Sequence, residues 1–318
     1  MDVHSPEQIK YLSHKLMQLD ITQKKTAIAE ARKKLFINRY EVLIVLTVAA
    51  LITIFRIWFE RKVCKPFMNW IGIDVGMKQR KFAESIFKTL FYLFTWLYMS
   101  YIVYTENLLK DERIMWSDWQ LGMTVPLAYR FIIFTECAFY FHSIYATIFI
   151  DIRRSDFKVM IVHHMVTIAL ISVSYAIRYH KCAITVMFLH DINDVFLEGS
   201  KSITYMHIRN GREYPIFDKI SMFGFGVFTL SWIITRTYMF FHHVLYSTMV
   251  VSAVMLYHKF GGFWSFLNGF LTVIFFMDLF WLNHILKMLF KIVSGQMKIL
   301  TDIREMKTTK EQCTVINK

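Results

Sequence analysis

The chain has 318 residues, a formal charge of +13, 55% hydrophobic and 17% aromatic content, and a mean hydropathy of +0.38. Apolar residues in such amount, gathered in runs near twenty, exclude an ordinary soluble domain, and their continuity argues against a transmembrane β-barrel, whose runs alternate. Basic residues fill the gaps between those runs, which argues against nucleic-acid binding and suits anionic headgroups or a polyphosphorylated carrier.

Residues 1–37 form a polar, basic arm in which Ile9, Leu12, Leu16 and Leu19 follow a helical pattern. No apolar run with a small-residue cleavage site begins the chain, so no removable signal peptide is expected, and 38–60 reads as an uncleaved transmembrane anchor. A basic connector follows over 61–81, then apolar runs at about 86–104, 126–149, 158–177, 182–200, 219–241 and 263–287. These make a six-helix membrane domain over 82–290, with a basic tail over 291–318. The fold class is an all-α integral membrane protein of about seven transmembrane helices, six of them bundled around a central cavity. The stretch 244–257 suggests a further interfacial or re-entrant helix.

Lys and Arg concentrate around 61–81, 151–158, 201–219 and the tail, whereas 105–124 carries Glu106, Asp111, Glu112 and Asp118. The tail is therefore expected in the cytosol and, with an odd number of spans, the basic arm in the lumen. Cys64, Cys137, Cys182 and Cys313 are too scattered for a disulfide framework or a zinc site.

The fourth and fifth spans hold the chemistry. Ionisable residues inside a span are costly and generally mark a site or a pathway. At about 100° per residue, His190, Asp191, Asp194, Glu198 and Lys201 share one arc of a helix. On the preceding span His163 shares a stripe with Thr167 and Ser174, with His164 one step round. Facing one another, these stripes make a polar pocket of imidazoles and carboxylates; the plainer alternative is a polar seam that only fixes helix packing.

Membrane di-iron enzymes fill their metal shells from HxxxH and HxxHH clusters. This sequence has two HH pairs, His163–His164 and His242–His243, and Met160 stands where the first histidine of HxxHH would be. No metal is expected, although a His/Asp set stays geometrically open. Acyl transfer also fits these groups. An amine attacking a thioester must lose a proton to a base, and a histidine can be that base or can itself take the acyl group. No G-x-S-x-G motif offers a serine nucleophile. A proton relay in a transporter is a further alternative, without an inverted repeat to support it.

The order His163–His164, Ser174–Tyr175, His190–Asp191, Asp194, Leu197–Glu198 and Lys201 resembles the central stretch of the ceramide synthases, the longevity-assurance branch of the TLC-domain family. KFAESIFKTLFYLF (81–94), FYFHSIYATIFIDIRRSDF (139–157), Arg236 and NHILKMLFKIVSGQMKILTDIREMK (283–307) extend the resemblance over roughly 80–305. It implies an endoplasmic-reticulum enzyme joining a fatty acyl group from acyl-CoA to a sphingoid base, with membrane lipids around it and no cofactor beyond the acyl-CoA co-substrate. His163, His164, His190, Asp191 and Asp194 would be catalytic. Thr167, Ser174, Glu198, Lys201, Tyr205 and Arg236 would meet substrate, and Arg153, Arg154 and Lys158 the phosphates of coenzyme A. A homodimer contacting through Asp302–Arg304 is a further implication. The chain departs from the family pattern at Arg178 and Ala183, in the length of the connector between Lys201 and Arg236, and in lacking a full homeobox-like module over 62–80. The last lumenal loop, here about 247–263, is where the resemblance places part of the acyl-chain selectivity. Members of the wider TLC family that bind or move lipids without catalysis are the alternative.

Overall fold

The computed structural model describes residues 37–73, 76–120, 122–152, 154–256 and 263–296. The arm over 1–36, Arg153, and the tail from 297 with its Asp302–Arg304 contact lie outside the described residues.

Helix α1 (Arg39–Phe59) begins on a capping box, with Asn38 as cap and the Asn38 amide donating to Glu41 Oε2 at 3.1 Å. It does not stop at 60. A π-helical turn, Glu60–Cys64, carries it into α2 (Lys65–Ile71), so much of the expected connector is helical. Pro66 lies in the first turn of α2, where its missing N–H costs least. Gly72, at φ 78°, ends α2.

Four long helices follow: α3 (Met77–Thr105), α4 (Leu127–Phe149), α5 (Phe157–Ala176) and α6 (His180–Tyr205). Strands β1 (Ile208–Arg209) and β2 (Arg212–Glu213) then pair antiparallel around Asn210–Gly211, both at positive φ as a two-residue hairpin requires. Helix α7 (Pro215–Trp232) continues as a π-helix over Ile233–Val251 and ends in α8 (Ser252–Met255). As far as Met255, the stretch suspected of forming a separate interfacial helix thus continues the rod that begins with α7. Helix α9 (Phe263–Val293) closes the order.

Six of these helical rods are long and apolar enough to cross a membrane. The seventh long helix, α6, is not apolar enough because Lys181, Asp191, Asp194, Glu198 and Lys201 interrupt it. It stands in the bundle interior between α3 and α7, which solves the cost of those groups. Helix α1 lies outside against α4, burying Val45 and Ala49 while Leu43, Leu51 and Ile54 stay on the surface. At the far end of the bundle the 106–126 connection folds inward: Trp116 Nε1 donates to Ser247 Oγ at 2.8 Å and Trp119 Nε1 to the Ile177 carbonyl at 3.0 Å.

The hairpin is tied to the end of α2 by the Asn210 amide, which donates to the Gly72 carbonyl at 2.7 Å. A Cβ on Gly72 would collide with the Asn210 side chain, and its φ disfavours any L side chain. Gly72→Ala is expected to destabilise the fold by about 1–3 kcal/mol, read as a lowered thermal midpoint in detergent.

Candidate active site

Neighbours on α5, His163 and His164 point about 100° apart, yet their rings stay 5.8 Å from each other. The Tyr140 ring, from α4, meets both edge-on at 6.4 and 5.8 Å, and Trp281 of α9 stands edge-on to His163 at 5.2 Å. Nδ1 of each histidine is buried without a hydrogen-bond partner.

His190 is held differently. Its Nδ1 lies 2.8 Å from the Val186 carbonyl and its Nε2 3.1 Å from Asp278 Oδ2, so both nitrogens are occupied. Arg236, in the π-helical part of α7, donates from Nη2 to the His190 carbonyl and to Asp194 Oδ2, each at 2.8 Å. Its guanidinium covers Trp232 at 4.2 Å. Asp191 turns the other way: Thr95 Oγ1, from α3, donates to its Oδ2 at 3.1 Å, and it is fully buried behind the wall. Glu136 of α4, also fully buried, lies beside that pair.

These groups surround a cavity of about 1190 Å³. His163, His164, Tyr92, Tyr140, Asp194 and Arg236 line one part of it. Lys78, Lys81, Arg154, Lys201, Lys287 and Lys291 line another. The latter belong to the start of α3, the loop before α5 and the ends of α6 and α9, which the alternation of successive helices brings to one side of the bundle. Glu198 and Tyr205 are on this wall too.

Part of the positive charge there is already matched. Arg154 Nη2 donates to Glu84 at 2.9 Å and Lys201 Nζ to Glu198 at 3.0 Å. Asp151, in the loop between α4 and α5, accepts from Arg56 at 2.6 Å and from Lys88 at 3.3 Å. Burial pushes the Asp151 carboxyl up, but Lys88 and Arg56 outweigh it and hold the group below the usual carboxylate range. Lys158 is exposed on α5 and is not on the cavity wall.

A second, narrow cavity of about 50 Å³ lies on the other side of His163. His163 and Tyr140 border both spaces. Thr167, Ser174 and His190 line the narrow one with Leu170, Val186 and Leu271, and Trp264 stands in its wall. The Thr167 hydroxyl is turned back onto the His163 carbonyl at 2.9 Å. Among the described residues, no group of three or more His, Cys, Asp or Glu side chains could hold a metal ion.

The sequence-predicted residues therefore divide. His163, His164, Asp194, Glu198, Lys201, Tyr205, Arg236 and Arg154 share the large cavity; Thr167, Ser174 and His190 border the narrow one; Asp191 supports from behind. Sequence reasoning missed Asp278, Glu136, Thr95, Tyr92 and Tyr140. Asp278 and Glu136 had a signal, since each is a lone carboxylate in an apolar run. The tyrosines had none, being ordinary constituents of a span.

The family model described as TLC domain matches residues 81–287, which include most of the residues that line the two cavities. Ceramide synthase 1 of Homo sapiens is 37% identical over 234 residues, covering 73% of this chain and 66% of that protein. The ceramide synthase 1 LOH3 of Arabidopsis thaliana is 31% identical over 240 residues, covering 71% and 74%. Ceramide synthase 4 of Bos taurus is 32% identical over 230 residues, covering 71% and 55%. This chain thus spans a little under two thirds of the human relative and just over half of the bovine one. With its HH pair, Asp194 and Arg236 gathered at one cavity, the chain belongs to the ceramide synthase branch of the TLC-domain family.

Proposed function

We propose that this chain is an acyl-CoA-dependent sphingoid-base N-acyltransferase, a ceramide synthase of the endoplasmic-reticulum membrane. The observation that carries the reading is the position of His163, where a wide cavity with basic walls meets a narrow apolar one. A thioester carbonyl placed there has its phosphate-bearing carrier on the basic side and its hydrocarbon tail on the apolar side. Lys78, Lys287 and Lys291 are suited to meet the carrier's phosphates, and by the positive-inside rule that side faces the cytosol, with the amino-terminal arm in the lumen.

The reaction forms one C–N bond and breaks one C–S bond. The amine nitrogen loses a proton, and the departing thiolate of coenzyme A takes one up. His163 serves either as the base for the amine or as the nucleophile that briefly holds the acyl group, with His164 beside it for proton transfer. Tyr140, against both rings, is placed to donate to the carbonyl oxygen as negative charge gathers there, and Arg236 supplies positive charge in the same part of the cavity. Burial away from water protects the activated acyl group from hydrolysis.

Along α5, the eleven-residue step from His163 to Ser174 corresponds to about 16 Å of narrow cavity wall. Trp264 is fixed there by Nε1, which donates to the Thr248 carbonyl at 2.9 Å and to Ser252 Oγ at 3.1 Å. Trp264→Ala is therefore expected to shift acyl preference towards longer chains, read by mass spectrometry from a mixed acyl-CoA panel. An unchanged profile would show that Trp264 does not limit chain length.

The function is tested by expressing the chain in cells stripped of their own ceramide synthases and supplying their membranes with sphinganine and a panel of acyl-CoAs. N-acylated sphinganine supports the reading. Its absence from membranes that hold the well-inserted protein, with every acyl-CoA and base, contradicts it.

A further inference from the structure

The contacts of His190 restrict where its protons lie. The Val186 carbonyl can only accept, so Nδ1 of His190 carries a proton and donates it. Nε2 then faces Asp278 Oδ2 at 3.1 Å, and a hydrogen bond there needs one more proton shared by the imidazole and the carboxyl. Neither nitrogen is left for substrate. This contrasts with His163 and His164, whose Nδ1 atoms have no partner.

Asp278 is fully buried, and its second oxygen faces Arg236 Nη1 at 3.6 Å. Arg236 therefore stands between two carboxylates on different helices, Asp278 of α9 and Asp194 of α6, and its Nη2 also holds the His190 carbonyl. The charged and titratable groups around Arg236 come from four helices: Asp194 and Asp191 of α6, Asp278 of α9, Tyr140 of α4 and His163 of α5.

We propose that Asp278 is a positioning residue. With His190 it forms a proton-sharing strut that fixes Arg236, and through Arg236 the Asp194 carboxylate, in the part of the cavity where His163 works. His190 acts within this strut and not as the base. The role rests on the synthase reading above.

The test compares purified wild type, Asp278→Asn, Asp278→Glu, His190→Gln and the Asp278→Asn/His190→Gln double variant in acylation of sphinganine. Asparagine fills the same space and can donate to Nε2 of a neutral imidazole, so the fold is expected to survive with an unchanged thermal midpoint. It cannot supply the carboxylate that faces Arg236. Asp278→Asn is expected to lower kcat about tenfold or more, to leave KM for acyl-CoA within about twofold and to change the pH–rate profile. Asp278→Glu should recover part of kcat. Because the two residues act as one unit, the double variant should be no slower than the slower single variant.

Wild-type kcat and pH profile in Asp278→Asn, or fully additive losses in the double variant, would overturn the proposal. His190→Gln tests it independently of whether Asp278→Asn folds: wild-type kcat there overturns it equally. Absence of product from folded wild type would instead overturn the synthase reading, and this role with it.

Discussion

Replacing His163 with alanine is expected to cut N-acylation by roughly 10²–10⁴-fold, the range that a base in proton transfer contributes. The same substitution should hardly alter the fold. Nδ1 of His163 makes no hydrogen bond, so none is lost there, and the ring already borders two empty spaces. What disappears is edge-on packing against Trp281 and Tyr140. Normal abundance and thermal midpoint with product at background would place the defect in chemistry. Product near the wild-type level would remove His163 from the reaction. His164→Ala is the useful companion, because His164 lines only the larger cavity and should cost less if it only assists.

Asp151→Ala is expected to have the largest effect on stability, about 3–5 kcal/mol, as removal of one partner from a buried ion network typically costs. The loss falls on two cations at once. Among the described residues, Arg56, 2% exposed, would keep its ion pair with Glu60, at 2.8 Å, and Lys88 its pair with Glu84, at 2.6 Å. These contacts join α1 to α3 and to the loop that leads into α5, so their loss should loosen the peripheral helix first. Thermal unfolding in detergent measures it.

A pH dependence accompanies this network. The Asp151 carboxyl is held below its unfolded value, so its stabilisation is complete above about pH 4 and is lost as pH falls towards the still lower folded value. On acidification below about pH 4 the wild-type midpoint should therefore fall more steeply than that of Asp151→Asn. Parallel curves would mean that the carboxylate contributes nothing.

The long helices were legible because hydrocarbon demands runs of about twenty apolar residues, and those runs are in the sequence. Even α6 could be placed, since its polar arc recurs at helical spacing and its neighbours are apolar. What hydropathy could not show was where helices fail to stop. Lys65–Ile71 and the stretch through Met255 continue their helices through π-helical segments, and neither carries a sequence signal distinct from a loop or a separate helix. The hairpin did have one, Asn210–Gly211, hidden by the basic residues around it.

The site was legible where its residues cluster along one helix. Asp194, Glu198 and Lys201 could be grouped by their spacing along α6, and the structure gathers them at one cavity. Partners across helices were not legible, because spacing says nothing about which neighbour a span meets. Asp191 and His190 adjoin in sequence, yet one bonds Thr95 of α3 and the other Asp278 of α9. Residues about 100° apart face different helices, so a shared motif divides between a supporting layer and the cavity wall.

The most direct test of catalysis by this chain itself uses the purified protein in lipid nanodiscs, with isotope-labelled acyl-CoA and sphinganine as the sole additions. One labelled N-acylsphinganine is expected for each coenzyme A released, with both reduced to near background in His163→Ala. Binding of both lipids by folded wild type without any new amide would contradict it and would favour a TLC-domain protein that carries lipids or assists another enzyme.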